Sequence, residues 1–600
     1  MSDSLGVRKF KSLLITSSAE MAIAVIVLMS DSIITGHIAG EAGISGVNLV
    51  TPLYSCVVFI STLISTGISF SYGLAMGKFD KDRANKLFGL SVILSSSVGI
   101  ILFAAMYLYS DYYFAFMSPS DEVLKFAHEY FKFFMYTVLL NPINTLISTT
   151  VYDDGDELIC NIANVVQIFG NIILSVVLAL YMGVAGISLA TLITLTASTL
   201  ILCCHFFRAA NSLKAKIYFS LRDCITFAKF GFVDSGMYFM WAILLLAMNK
   251  FVISVFGDYY LPVLSMSVSL LEIGVVFDGI ALAMKPLASV YYGEGNPIAL
   301  RQVMRAAEKI SLYDGIIFTV ILIAGADYVP YIFGIDEPEL MRLCAYAVRI
   351  ISLTLVFSAV LYLYETYLMI PEKTFIVMLS AFLRNMILPL LFGITFGLVL
   401  GLNGVWVGFA LAPVITFAAC VWFMRKIYGR ELFPLYIEDG DLTDYSIVMT
   451  PENIIAMRDE AEKFLIAHNI SRRKINDVML IIEETGMLIL EHNEGKKIHA
   501  ETTIKASEGI ELIMRDEGEI FDITDADSNI RLCCGIRSMF RGAIRGLLEV
   551  FRNCSYRCSF RNSVSGYALG RCCTSNGDEN RSVRGNVRGA NRDFRAIPLS

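Results

Sequence analysis

The sequence predicts an all-α polytopic membrane protein, with twelve helices in two six-helix repeats, followed by a small α/β domain. Three observations carry this. The 600 residues are 56% hydrophobic and 17% charged, where a soluble chain carries about 25% charge, and the mean hydropathy is +0.62. Apolar runs long enough to cross a bilayer recur through the first 430 residues. Glycine-rich signatures also recur at one offset, about 217 residues. Gly183-Val184-Ala185-Gly186 and Gly401-Leu402-Asn403-Gly404 each open a helix, and the loops Gly77-Lys78-Phe79-Asp80 and Gly293-Glu294-Gly295-Asn296 each lead into one.

The first half (1–220) reads as spans near 12–36, 46–76, 88–109, 124–150, 158–181 and 184–207. The second half (221–430) reads as spans near 224–255, 259–291, 306–327, 340–369, 374–400 and 403–427. Pro52 and Pro286 interrupt the second and eighth, which is tolerable where neighbouring helices satisfy the freed carbonyl. Duplicated halves of this kind build a substrate path at their interface in many secondary transporters. Basic residues collect in alternate loops: Arg8, Lys9 and Lys11; Lys78, Lys81, Arg83 and Lys86; Arg208, Lys214 and Lys216; Arg301 and Arg305; Arg425 and Lys426. Those loops are therefore cytoplasmic, as are both termini, in a multi-pass protein of the cell membrane. The loop Asp153-Asp154-Gly155-Asp156-Glu157 is cytoplasmic by parity but acidic. Cys56, Cys160, Cys203, Cys204 and Cys420 lie in apolar runs and read as packing residues.

Residues 440–530 are charged and read as a mixed domain. The expected elements are a strand over Tyr445–Thr450, a helix over Pro451–His468 capped by Thr450, and a helix over Ser471–Glu491. The second helix would bury Ile475, Val478, Met479, Ile482 and Leu490, and strands follow over Ile498–Ile504 and Ile510–Met514. Residues 531–600 hold thirteen arginines, no lysine and six of the thirteen cysteines. The paired cysteines lack metal-ligand spacing. A lysine-free basic tail is unusual for nucleic-acid binding, so no nucleic-acid partner is expected. The abrupt change of composition reads as an out-of-frame segment.

Intramembrane acids are costly and mark function. The first span holds Glu20 and Asp31, close to three turns apart and so on one face. The seventh holds Asp234. The eighth holds Glu272 and Asp278 on different faces, with Lys285 a candidate ion-pair partner for Asp278. The tenth holds Glu365; for it and for Asp31 the alternative to a functional role is a solvated place near a membrane interface. These acids are candidates for substrate binding or coupling.

Asp31-Ser32-Ile33-Ile34-Thr35-Gly36, then Pro52, Gly67 and the Gly77–Asp80 loop, resembles the start of a MATE (multidrug and toxic compound extrusion) transporter. So does Asn171-Ile172-Ile173-Leu174 followed by Gly183 to Thr191. The resemblance covers about 1–430. It implies a non-enzymatic antiporter that exports organic, often cationic, compounds in exchange for H⁺ or Na⁺. It also implies a cation-coupling site at Asp31, Asn171 and Thr191. Ser175 stands where the family has a second Asp; that loses a charge, and a hard cation wants several oxygens. Proton coupling through Asp31 alone stays open.

Ile481-Ile482-Glu483-Glu484-Thr485 to His492, then Arg515-Asp516-Glu517-Gly518, resembles the histidine-kinase-type ATPase fold of anti-sigma-factor kinases. The resemblance implies nucleotide-binding roles for Glu484, Asp516 and Gly518, with ATP and Mg²⁺ as ligands. Leu488, however, stands where that fold has its Mg²⁺-binding Asn, and the phosphate lid is missing after Asp522. A degenerate domain without cofactor, regulatory or contacting a protein partner, is therefore expected. Two other functions compete with export. A lipid-linked oligosaccharide flippase would need more intramembrane cations than Lys285 and Arg349. A membrane-tethered signalling protein would need a competent ATP site.

Overall fold

The computed structural model describes residues 4–77, 80–208, 211–428, 442–506, 510–519 and 558–560. Two compact units divide the chain, one of residues 1–446 with 503–511, the other of 447–502 with 512–600.

The first unit is helical. Its opening helix, α1 (Leu5–Gly77), holds the first two predicted spans and breaks at Gly40, where φ is +62°. Then come α2 (Lys81–Met117), α3 (Asp121–Asp153), α4 (Glu157–Met182) and α5 (Val184–Cys203), which complete the first half. The second half runs through α6 (Leu221–Val255), α7 (Leu261–Glu272), α8 (Asp278–Gly293), α9 (Pro297–Ala324), the single turn α10 (Val329–Ile332), α11 (Pro338–Ser352), α12 (Leu355–Met369), α13 (Thr374–Phe382), α14 (Leu388–Leu400) and α15 (Leu402–Tyr428). A 3₁₀ stretch, Ile273–Phe277, joins α7 to α8, and a π turn, Leu383–Ile387, joins α13 to α14. Among the described residues eight helices are long and apolar enough to cross a membrane, or nine if the bent pair α11 and α12 is one span. The other predicted spans, the second part of α1 together with α3 and α9, are also helical.

The duplication is written into the backbone. Gly40 and Gly257, Ser118 and Gly334, Gly155 and Glu372, and Gly183 and Gly401 all adopt positive φ, each pair about 217 residues apart. The helix caps repeat as well. Asp80 accepts the Arg83 N–H, and Asn296 accepts the Ala299 N–H. At the α4–α5 and α14–α15 corners the helices meet backbone to backbone. A Cβ on Gly186 would lie 2.4 Å from the Leu178 carbonyl, and one on Gly404 would lie 2.0 Å from the Phe396 oxygen.

Where α1 meets α6, the two halves exchange a buried amide pair. Asn48 donates to Asn249 Oδ1 at 2.9 Å, and Asn249 returns a bond to the Asn48 carbonyl at 3.2 Å. Around this seam an apolar core gathers Leu49, Leu245, Met248, Leu264 and Trp406. At one end of the unit the two halves touch. Glu41 accepts the backbone N–H groups of Asp336 and Glu337 at 3.0 and 3.2 Å, and Gly36 packs so close to Phe333 that a Cβ would sit 1.7 Å from its carbonyl oxygen. The acidic loop after α3 is tied down by internal hydrogen bonds. His205 lies fully buried between Asp154 and Asp156, each at 2.9 Å, and Arg208 pairs with Asp156 at 3.0 Å. Tyr72 and Ser212 also donate to Asp154.

The small α/β region comprises β1 (Leu442–Val448), α16 (Pro451–Ala467), α17 (Arg472–His492), β2 (His499–Ala506), β3 (Ile510–Asp516) and β4 (Cys558–Phe560), with sheet order β1-β2-β3-β4. The first strand ends at Val448 and not at Thr450, because Thr450 is spent as the N-cap of α16, accepting the Asn453 N–H at 3.2 Å. The buried face of α17 is as expected except that Ile489 replaces Leu490. Three residues of the Arg/Cys-rich tail, Cys558–Phe560, pair parallel with Leu512–Met514. The rest of that tail, and Phe521 and Asp522, lie outside the described residues.

Candidate functional site

The two acids predicted in the first half lie apart. Asp31 sits on α1 facing Tyr130 of α3, whose hydroxyl is its hydrogen-bonding neighbour, and one carboxyl oxygen is buried without a partner among the described residues. Its own turn is closed by Thr35, which donates to the Asp31 carbonyl at 2.5 Å. Asn171 of α4 donates to Thr191 of α5 at 2.9 Å. One turn on, the Ser175 hydroxyl is fully buried with no partner among the described residues. The residues expected to couple a cation thus lie in two pieces. Among the described residues no hydrogen bond joins Asp31 to Asn171, Ser175 or Thr191. Glu20 stands exposed on α1 and does not share a site with Asp31.

The second half holds a denser cluster that sequence reasoning only partly found. A cavity of about 250 Å³ is lined by Asp234 of α6, Asp278 of α8, Tyr362 and Glu365 of α12, and Arg384 of the π turn. Arg384 donates from Nη2 to Glu365 Oε2 at 2.9 Å, and Ser380 donates to the other carboxylate oxygen at 2.6 Å. The guanidinium lies 4.1 Å above the Tyr362 ring, a cation–π geometry. The Tyr362 hydroxyl is a further hydrogen-bonding neighbour of the guanidinium, and Nε and Nη1 have no well-aligned partner among the described residues, although the side chain is only 7% exposed. Asp278 lies within electrostatic reach of both Arg384 and Glu365.

Three expectations change here. Asp278 has Arg384, and not Lys285, as its cationic neighbour. Lys285 is exposed, and the acid within its reach is Asp234. Arg349 is not an intramembrane cation free for a ligand, because it is held by Asp327 at 2.7 Å in an exposed pair. Glu365 is not a solvated interfacial acid but the buried counter-ion of Arg384. Glu272 and Asp278 bracket the 3₁₀ stretch and keep different company, with Glu272 within reach of Tyr54 on α1. Arg384 was the residue missed. A lone arginine inside an apolar 27-residue span is as costly as any of the acids, and that cost was the signal available.

The repeat gives these charges a control. At offsets of 216 to 218 residues, the first-half counterparts of Asp234, Asp278, Glu365 and Arg384 are all uncharged. The shared backbone does not require the cluster, so the cluster belongs to chemistry particular to the second half.

In the appended region Glu484 is half-buried, and burial together with the neighbouring Glu483 pushes its carboxyl up. Asp516 is buried and accepts the Gly518 N–H at 2.7 Å. Leu488 is half-buried on α17, next to the buried Ile489.

Two pseudo-equivalent helical halves with buried charges along the spans define a two-lobed membrane protein. The MatE family model matches residues 17–177 and 235–395, one copy in each half. The chain belongs to the MatE family of multi-pass membrane transporters. Solved structures share the fold. An inward-facing multidrug resistance MATE family transporter of the MOP superfamily aligns with a TM-score of 0.63 at 20% identity, covering 67% of this chain and 94% of that one. An outward-facing one aligns at 0.55 and 20%, over 71% and 98%. A MOP superfamily transporter from Pyrococcus furiosus, described by the reverse polarity of its binding pocket, aligns at 0.56 and 19%, over 71% and 98%. No curated protein matches the chain.

Proposed function

We propose that the chain is a secondary active exporter of organic compounds across the cell membrane, driven by inward H⁺ flow, with both termini cytoplasmic. The observation that carries this is Asp31: a buried intramembrane carboxyl with one oxygen unpartnered among the described residues, set beside a tyrosine and apart from the Asn171–Thr191 pair. A single carboxyl suits a proton. A Na⁺ cage wants several oxygens, and Ser175 supplies a hydroxyl where the family has a charge.

Export is favoured over flipping of a lipid-linked oligosaccharide. Among the described residues of the spans Arg384 is the one buried cation, and Glu365 already neutralises it. The C-terminal region serves regulation or contact with a protein partner, since Leu488 removes the Mg²⁺ ligand and Asp516 engages its own turn. The test is transport in proteoliposomes with H⁺ and Na⁺ gradients imposed in turn. The H⁺ gradient should drive export, and Asp31→Asn should abolish it while the variant still inserts and folds. Normal transport by Asp31→Asn would move the coupling site elsewhere, and a response to Na⁺ alone would replace the proton.

A further inference from the structure

We propose that the second-half cavity is a binding site for compact zwitterions, with Arg384 receiving the ligand's carboxylate and Asp278 its ammonium group. This rests on the export reading for its role but on the cavity alone for its chemistry.

The argument starts from the donors of Arg384. A guanidinium carries five N–H groups in a fixed fork and is never neutral in proteins. Here Glu365 occupies Nη2, while Nε and Nη1, buried at the cavity wall, have no well-aligned partner among the described residues. Unused buried donors on a charged group are costly and need a reason. The π turn at Leu383–Ile387 carries Arg384, and such turns occur frequently at functional sites.

Charge balance then selects the ligand. The Glu365–Arg384 pair is neutral as a unit. A simple anion at the free donors would meet Asp278 in the same cavity, Asp234 having Lys285 within reach. A simple cation would meet the guanidinium. A ligand bearing both charges satisfies both walls, and Phe232, Met237, Met240 and Phe382 offer an apolar surface to its frame. The Tyr362 ring under Arg384 holds the fork in place. The equivalent positions in the first half are uncharged, so the site occurs once per chain.

The experiment is equilibrium binding to the full-length protein in nanodiscs without any gradient. Three probes share one ring: the inner salt Nα,Nα,Nα-trimethyltryptophan, its methyl ester (a permanent cation) and indole-3-propionate (an anion). The inner salt should bind tighter than either other probe by about tenfold or more, the worth of a charge-assisted hydrogen bond. In the double variant Arg384→Gln with Glu365→Gln, which keeps shape and leaves no unpaired charge, that preference over the ester should vanish. Should the double variant fail to insert, Arg384→Lys carries the test. It retains the charge but lacks the fork, so the preference should shrink. Equal binding of ester and inner salt, a preference that survives these substitutions, or no binding of any probe would each overturn the proposal. Selective binding with no gradient-driven flux would sink the export reading alone. Flux without selectivity would sink this one alone.

Discussion

Removing one partner of the Glu365–Arg384 pair should destabilise the protein far more than removing both. In Glu365→Gln the guanidinium loses the carboxylate held at 2.9 Å by Nη2, and Ser380 loses a charged acceptor at 2.6 Å. Two further nitrogens of Arg384 already lack well-aligned partners among the described residues, so nearly the whole cation is left uncompensated. Breaking a buried pair in this way costs about 3–5 kcal/mol. Asp278 lies within reach of the same charge and offsets part of that, so the lower end, about 3 kcal/mol, is the expected loss. Replacing both residues, Glu365→Leu with Arg384→Met, removes the unpaired charge and should cost about 1 kcal/mol or less. The assay is denaturant or thermal unfolding in detergent, with the two single variants and the double forming a cycle. A Glu365→Gln variant within about 0.5 kcal/mol of the parent, or a double variant no better than the single, would show that the pair is solvated and would refute the reasoning.

The His205 junction gives a pH-dependent outcome. Its bond to Asp156, with help from the Ile159 N–H and Arg208, holds the Asp156 carboxyl below its ordinary range. The stabilisation is therefore present at neutral pH and lost as pH falls through the folded-state value. Asp156→Asn should be less stable than the parent at neutral pH, and the gap should close in acid; a gap that persists unchanged in acid would contradict this. The Gly36–Gly334 contact gives another. Gly334 has φ +68°, and a Cβ there would lie 2.5 Å from the Gly36 carbonyl carbon, so Gly334→Ala should push the two backbones apart. In a background cleared of native cysteines, Ile335→Cys should be unreactive towards an impermeant thiol reagent while Gly334 is kept, and reactive once it is combined with Gly334→Ala. Equal labelling in the two backgrounds would show that this contact does not shield Ile335.

Much of the fold could be read because the constraints are local. Glycines at Gly183 and Gly401 mark positive φ, Gly186 and Gly404 mark backbone contact, and Thr450 marks a helix start, each through one residue and its neighbours. The spans followed from apolar runs. The site was less legible because its geometry is long-range. Arg384 lies in the run Ala381-Phe382-Leu383-Arg384-Asn385, where apolar neighbours disguise it, and its partner Glu365 is on another helix. The same distance hid the wrong choice of Lys285 for Asp278: seven residues along one helix are two turns, but the 3₁₀ stretch and the packing of α12 set the real neighbourhood. Tyr130 as the companion of Asp31 required knowing which face α3 turns towards α1.

The matched backbone breaks at Gly40 and Gly257, Ser118 and Gly334, Gly155 and Glu372, and Gly183 and Gly401 have a consequence for how such a molecule can change over evolution. Corners, caps and breaks were copied together, so either half can bend with the same mechanics. The charges were not copied with them. One half therefore remained free to carry the acid Asp31, and the other a buried arginine with its counter-ion, without either change disturbing the shared breaks. The charges of this chain can drift one lobe at a time, while the backbone common to both lobes stays under one constraint.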